Sequence, residues 1–162
     1  MAYVSENGMQ KIILLVGLLF MPLVQANSIE GCYLASEQIT SFVSEESEMK
    51  STYLKISKVA DDFWVEGVVW GANFHVCYIS SPIEGSEGPL QMRYTNNKLV
   101  YNQDEAEYGI NCQLEMSFKD SKLTLNDSNS HCAQHIFYCG TRVGLDNVDL
   151  PKVLQDCPET AI

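Results

Sequence analysis

The chain has 162 residues, with 10 Lys and Arg against 21 Asp and Glu and a formal net charge of −11. That length holds one ordinary domain, and 46% hydrophobic residues make it too apolar for a disordered chain. The acidic balance argues against nucleic acid, because nothing here neutralises a row of phosphates, and against docking on an anionic membrane.

Residues 12–24 read IILLVGLLFMPLV, an apolar run too short to cross a bilayer comfortably as a helix. Lys11 precedes it, and Val24-Gln25-Ala26 ends it with the small-residue pattern of a processing site. We read 1–26 as a secretory signal peptide cleaved after Ala26 and 27–162 as one exported domain, periplasmic or secreted. The alternative is a retained anchor. Residues 1–8 carry Glu6 and no positive side chain, so Met9 is the more usual start. A lipoprotein reading fails at Cys32, because charged Glu30 stands near it where small residues are wanted.

Beyond the leader, period-two alternation recurs. Leu54 and Ile56 alternate with Lys55 and Ser57, and 63–70 follows the acidic turn Asp61-Asp62. Segment 73–79 alternates, with His75, Cys77 and Ile79 on one side. Next come Leu90, Met92 and Tyr94, then the turn Asn96-Asn97, then Leu99 and Tyr101. Cys112, Leu114, Met116 and Phe118 lead through Lys119-Asp120-Ser121 to Leu123 and Leu125, and 136–139 is a last candidate. Seven or eight short strands joined by Gly, Asn, Asp and Ser turns predict an all-β fold. Short connections make sequence neighbours antiparallel neighbours. A small antiparallel meander barrel is favoured over a two-sheet sandwich, because closure removes edges. Gly67 and Gly71 mark bulges or bends in strong strands. Two stretches read as helical: 37–50, with Ile39, Phe42 and Val43 at helical spacing before an acidic loop, and a short C-terminal turn over 150–157 starting at Pro151. Segments 80–89 and 103–109 read as exposed loops.

All six cysteines lie beyond the leader, which implies disulfides. Six cysteines allow fifteen pairings. Pattern suggests Cys32–Cys157 tying the ends, Cys77–Cys112 joining facing strands, and Cys132–Cys139 closing a small loop. The cluster His131, Cys132, His135 and Cys139 could ligate zinc, but usual sites pair two separated clusters, and disulfides are the expected fate of these sulfurs. No metal and no cofactor is expected.

Enzyme signatures are missing. There is no G-x-S-x-G, no H-E-x-x-H and no phosphate-cradling Gly loop. Asp61-Asp62 and Glu45-Glu46 read as solvated turn acids rather than acid/base pairs, and no carboxylate pair marks a glycosidase site. The expectation is a non-enzyme. Trp64 and Trp70 share one strand face with Glu66 and Val68, and Phe63, Val65 and Val69 fill the other. One face is core. The other is either covered or offered to a partner, since Trp supplies binding hot spots. Acids cluster in the loops: Glu45, Glu46 and Glu48; Glu84 and Glu87; Asp104, Glu105 and Glu107. Such a surface steers a basic partner.

The leader through Ala26, the alternating run 53–79 and the Cys112-x-Leu-x-Met-x-Phe strand with its hairpin to Leu125 cover about half of the 162 residues. On these features the chain resembles bacterial periplasmic lysozyme inhibitors and immunity proteins that protect against peptidoglycan-cleaving effectors of type VI secretion systems. The resemblance implies a binder of a basic cell-wall hydrolase. The Ser-Gly-rich loop with which known inhibitors enter the active cleft is absent. Gly85-Ser86-Glu87-Gly88 comes closest and lacks its ending, so no inhibitory residue is carried over. From the charge pattern, the partner-binding candidates are Glu84, Glu87, Asp104, Glu105 and Glu107, with Trp64 and Trp70 as anchors. Two other readings are a lipocalin-like barrel carrying a small apolar ligand and a secreted host-interaction module.

Overall fold

The computed structural model describes residues 28–83 and 88–159. The leader over 1–26, Glu84 and Glu87 lie outside the described residues. Nine strands form: β1 (Gly31–Thr40), β2 (Ser47–Val59), β3 (Asp62–Trp70), β4 (Val76–Ile79), β5 (Leu90–Thr95), β6 (Lys98–Glu105), β7 (Ile110–Lys119), β8 (Lys122–Asn126) and β9 (Val148–Val153). Eight of them close an antiparallel ring in the order β1-β2-β3-β5-β6-β7-β8-β9, with β9 pairing back to β1. The all-β barrel is therefore the fold, and the sandwich is not.

The extra strand has a simple geometry. Trp70 to Gly67 pair with Val76 to Ile79 of β4, and Val65 to Phe63 pair with Leu90 to Met92 of β5. Both partners lie on one edge of β3. They are one strand interrupted by the excursion 80–89, whose base is closed by the Ser81 amide donating to the Gly88 carbonyl at 2.9 Å. The break between Ile79 and Leu90 lies at mid-height of the wall rather than at a barrel end.

Alternation sets the interior. Leu54 and Ile56, Val65, Leu90 and Met92, Leu99, Leu114 and Met116, Leu123 and Leu125, and Leu150 all point inward and are buried. Aliphatic side chains thus fill the space an eight-stranded barrel encloses. At one end the hairpins are tight. Asn96-Asn97 and Asp120-Ser121 take positive φ at both central residues, matching the twist of the flanking strands. At the other end lie 41–46, 71–75, 106–109 and the long connection 127–147.

Three expectations are corrected. The predicted helix over 37–50 is a hairpin, with β1 paired to β2 over ten register positions from Gly31↔Ile56 to Thr40↔Ser47. Ile39 is buried, but Phe42 and Val43 are exposed in the turn, so the helical spacing did not report a shared face. The predicted C-terminal turn at Pro151 is β9. Val148, Leu150 and Lys152 face inward there, and closing the ring between β8 and β1 satisfies backbone groups that a helical turn would leave at two open edges. Segment 136–139 is not a strand. It follows a π-helical turn, Cys132–Ile136.

The disulfides are Cys32–Cys157, Cys77–Cys139 and Cys112–Cys132. The first is as predicted and ties the tail to β1. The pairs Cys77–Cys112 and Cys132–Cys139 are wrong. Cys77 and Cys112 both face the interior, but the 127–147 connection lies between their strands, and each bonds to it instead.

Gly67 of β3 lies opposite Leu54 of β2, with the Tyr53 backbone close against it. A Cβ there would lie 2.1 Å from the Tyr53 carbonyl oxygen, so Gly67→Ala must push the strands apart. We expect a loss of about 1–3 kcal/mol, read from the urea midpoint. Tyr33, buried at the tight-turn end, donates its hydroxyl to the Ile29 carbonyl at 2.9 Å. Burial pushes its pKa from 10.0 up to about 12. The unfolded chain therefore ionises this phenol first, so its contribution holds below pH 10.0 and is lost as pH rises through about 12. Tyr33→Phe should cost about 1 kcal/mol at neutral pH and flatten that alkaline limb relative to the parent.

Candidate functional site

The long-loop end is closed by a lid. Within 127–147, Cys132, Ala133, Ile136, Val143 and Leu145 are buried against the barrel contents. Asp127, fully buried, organises its start. Its two carboxylate oxygens accept from the Cys132 amide at 3.3 Å and the Ala133 amide at 2.8 Å, satisfying donors at the head of the π-helical turn. Cys132 then bonds to β7 and Cys139 to β4, so the lid is held on two walls. A Cβ at Gly71 would meet the Arg142 carbonyl oxygen at 2.2 Å. Gly71 is extended, at φ −129° and ψ −176°, and not the predicted bulge or bend; its missing side chain lets the lid lie directly on the end of β3.

Above the lid leans an arm. Residues 36–40 of β1 and 47–51 of β2 pair with each other and with no third strand. A two-stranded ribbon is marginal alone in water. Here the Phe42 amide donates to Asn73 Oδ1 at 2.9 Å, and the Arg142 guanidinium lies 5.3 Å from the Phe42 ring centre. At the arm's root, the Lys50 ammonium sits 5.0 Å over the Trp70 ring and 5.5 Å over Phe74. The Ser41 hydroxyl accepts from the Val43 and Ser44 amides and shapes the tip.

This end carries acid and apolar surface together. Glu37, Glu45, Glu46 and Glu48 lie on the arm, Asp104, Glu105 and Glu107 around the β6–β7 turn, and Asp146 on the lid. Among the described residues the bases at this end are Lys50 and Arg142, and Lys50 pairs with Glu48 at 2.5 Å. Phe42 is 67% exposed, Val43 88%, Tyr108 70% and Tyr138 81%. Four large apolar side chains thus stand in water among carboxylates, on three separate segments.

The predicted residues divide. Asp104 and Glu107 are exposed at the rim. Glu105 is half-buried on the inward row of β6, where Tyr101 donates to Gln103 and Gln103 Nε2 donates to Glu105 Oε1 at 2.5 Å. Burial, then the Glu105 charge, raises the Tyr101 pKa. A hydrogen bond to Glu107 is the first cause of the raised Tyr108 pKa. Trp70 is half-buried under Lys50 at the foot of the arm. Trp64 shares its outer face, as predicted, but sits toward the tight-turn end, in register with Ser57 and Gln91 and away from the acids of the lidded end. Phe42 and Val43 read as one face of a helix, and Tyr108 and Tyr138 carry no periodic signal, so none of the four was singled out as an anchor.

The metal-like cluster is split. Both sulfurs are in disulfides, His131 Nδ1 accepts from the Asn111 amide at 3.0 Å, and the His131 and His135 rings meet edge to face at 5.4 Å. His75 lies just before β4 and not within it. Comparison with protein families, curated proteins and solved structures finds no match to this chain.

Asp127→Ala leaves two buried amides without acceptors. It should cost about 1–3 kcal/mol and strip hydrogen-exchange protection from Cys132 and Ala133 while β2 and β7 keep theirs.

Proposed function

We propose that the chain is an exported, non-enzymatic binding protein that blocks a basic peptidoglycan hydrolase of the lysozyme type, acting as an inhibitor or immunity protein in the periplasm. The reading rests on one observation: carboxylates and exposed Phe42, Val43, Tyr108 and Tyr138 share the lidded end. Acidic loops steer a basic partner and raise its association rate. Apolar anchors slow its release, since a few buried aromatic contacts carry most interface energy. Disulfides and the filled barrel present the anchors rigidly, which lowers the ordering cost of binding. Three disulfides fit an extracellular or periplasmic protein. A ligand carried inside the barrel is disfavoured, because Leu54, Leu99, Leu114, Met116 and Leu125 occupy that space.

The test is to immobilise the disulfide-bonded chain from Asn27, pass secreted and periplasmic proteins of its source over it, and assay muramidase activity of what is retained. The expected result is a basic peptidoglycan hydrolase that is held at physiological salt and inhibited. Asp104→Lys with Glu107→Lys should slow association about tenfold at low salt and flatten its salt dependence. Phe42→Ala or Tyr138→Ala should speed dissociation with little change in association. Retention without inhibition, or charge reversal without a change in rate, defeats the proposal.

A further inference from the structure

The tight-turn end has a different chemistry. Above the aliphatic filling, the inward rows end in rings and lysines. Tyr33 of β1, Phe63 of β3, Tyr94 of β5 and Phe118 of β7 supply the rings. Lys58 follows Leu54 and Ile56 on the inward row of β2, and Lys152 follows Leu150 on that of β9. The ring centres of Tyr33 and Phe118 are 5.8 Å apart, and those of Phe63 and Tyr94 5.5 Å. The Lys152 ammonium lies 5.8 Å over Tyr33, and the Lys58 ammonium 5.5 Å over Phe63.

Of these, Tyr33, Tyr94, Phe118 and Lys152 line an open cavity of about 620 Å³, together with Lys119 and Lys122. That size lies within the range of small-molecule sites, about 300–1,000 Å³. Its charge runs against that of the chain. Lys119 and Lys122 face each other directly across the β7–β8 hairpin, a like-charge pairing that destabilises a hairpin. Lys122 is 3.4 Å from Asp149, whose other oxygen accepts from Thr124. Lys152 donates to the uncharged Ser28 carbonyl. Among the described residues neither Lys119 nor Lys152 forms an ion pair, and Asp120 is the one acid lining the cavity. A chain with 21 acids and 10 bases thus sets Lys152 over an aromatic floor, with Lys119 and Lys122 of the outward rows at its rim.

We propose that this mouth is a binding site for a small amphipathic anion. Its apolar body lies on Tyr33, Tyr94 and Phe118, and its carboxylate or sulfonate head is held by Lys152 with Lys119 and Lys122. The site is at the opposite end from the partner-binding surface and does not depend on that reading. The ligand caps the barrel at its mouth and leaves the interior filled.

The experiment titrates the disulfide-bonded chain from Asn27, which carries all nine strands and all six cysteines, with 1-anilinonaphthalene-8-sulfonate and follows its fluorescence. Decanoate, acetate and decanol then compete. Saturable binding at one site is expected, with decanoate displacing the probe at concentrations at least about tenfold below either the head group or the tail alone. Lys152→Gln should weaken decanoate about tenfold, the loss of one charged hydrogen bond. The pair Lys119→Gln with Lys122→Gln should do the same. It lies in an exposed hairpin, so it tests the charges even if Lys152→Gln disturbs the Ser28 contact. Lys55→Gln, on the outer face beside Glu66, should change nothing. The proposal is overturned by non-saturable binding, by lysine variants that bind decanoate as the parent does, or by decanol competing as well as decanoate.

Discussion

The lidded end depends on two covalent bonds. Cys77–Cys139 and Cys112–Cys132 carry one connection across the barrel mouth and hold it on two walls. A stretch as long as 127–147 between two strands is entropically costly to order. The cross-links remove much of that freedom from the unfolded chain. For separations of 20 and 62 residues, loop-closure arguments put each bond at about 3–4 kcal/mol. With the connection fixed, Ile136, Val143 and Leu145 complete the core, Gly71 meets the Arg142 backbone, and Arg142 reaches Phe42. The arm therefore stands on the lid, and the lid stands on the disulfides.

The same closure sorts the charge. Antiparallel strands send alternate connections to opposite ends. The arm, the β6–β7 turn and the lid carry mainly acids, whereas Lys58, Lys98, Lys119, Lys122 and Lys152 collect toward the tight turns, beside Glu30, Asp61, Asp62 and Asp120. The lidded end is therefore the more acidic of the two. The arm also needs its acids for another reason. Its strands have edges with no third partner, and Glu37, Glu46 and Glu48 discourage a second chain from pairing there. Edge protection accounts for these carboxylates, and the exposed apolar side chains beside them are the feature that solubility does not explain.

Much of the wall was legible in the sequence. From β2 to β8 each strand has one face toward a filled interior, so Leu54 and Ile56, Leu90 and Met92, and Cys112 to Phe118 alternate visibly. The turns at Asn96-Asn97 and Asp120-Ser121 were legible because those residues tolerate positive φ. The first strand was not, because its outer half is solvated on both faces and only Ile39 is buried. Nor was β9. Its pairing with β1 joins opposite ends of the domain, and Pro151 reads locally as a helix start. Of the site, the acids of 103–109 were legible by composition alone. Phe42 with Val43, Tyr108 and Tyr138 were hidden because they lie on three different connections.

By itself, then, the sequence determined the all-β class, the disulfide-bonded state and the acidic loops, since period, cysteine count and composition are local properties of the chain. Tertiary structure alone decided which cysteines pair. Cys77 and Cys112 face the same interior, and only the lid inserted between them sends each to a different partner. It alone also decided that the arm, the β6–β7 turn and the lid meet at one end and the lysines at the other. The reason is that strand direction in a closed ring, and not distance along the chain, assigns a loop to its mouth.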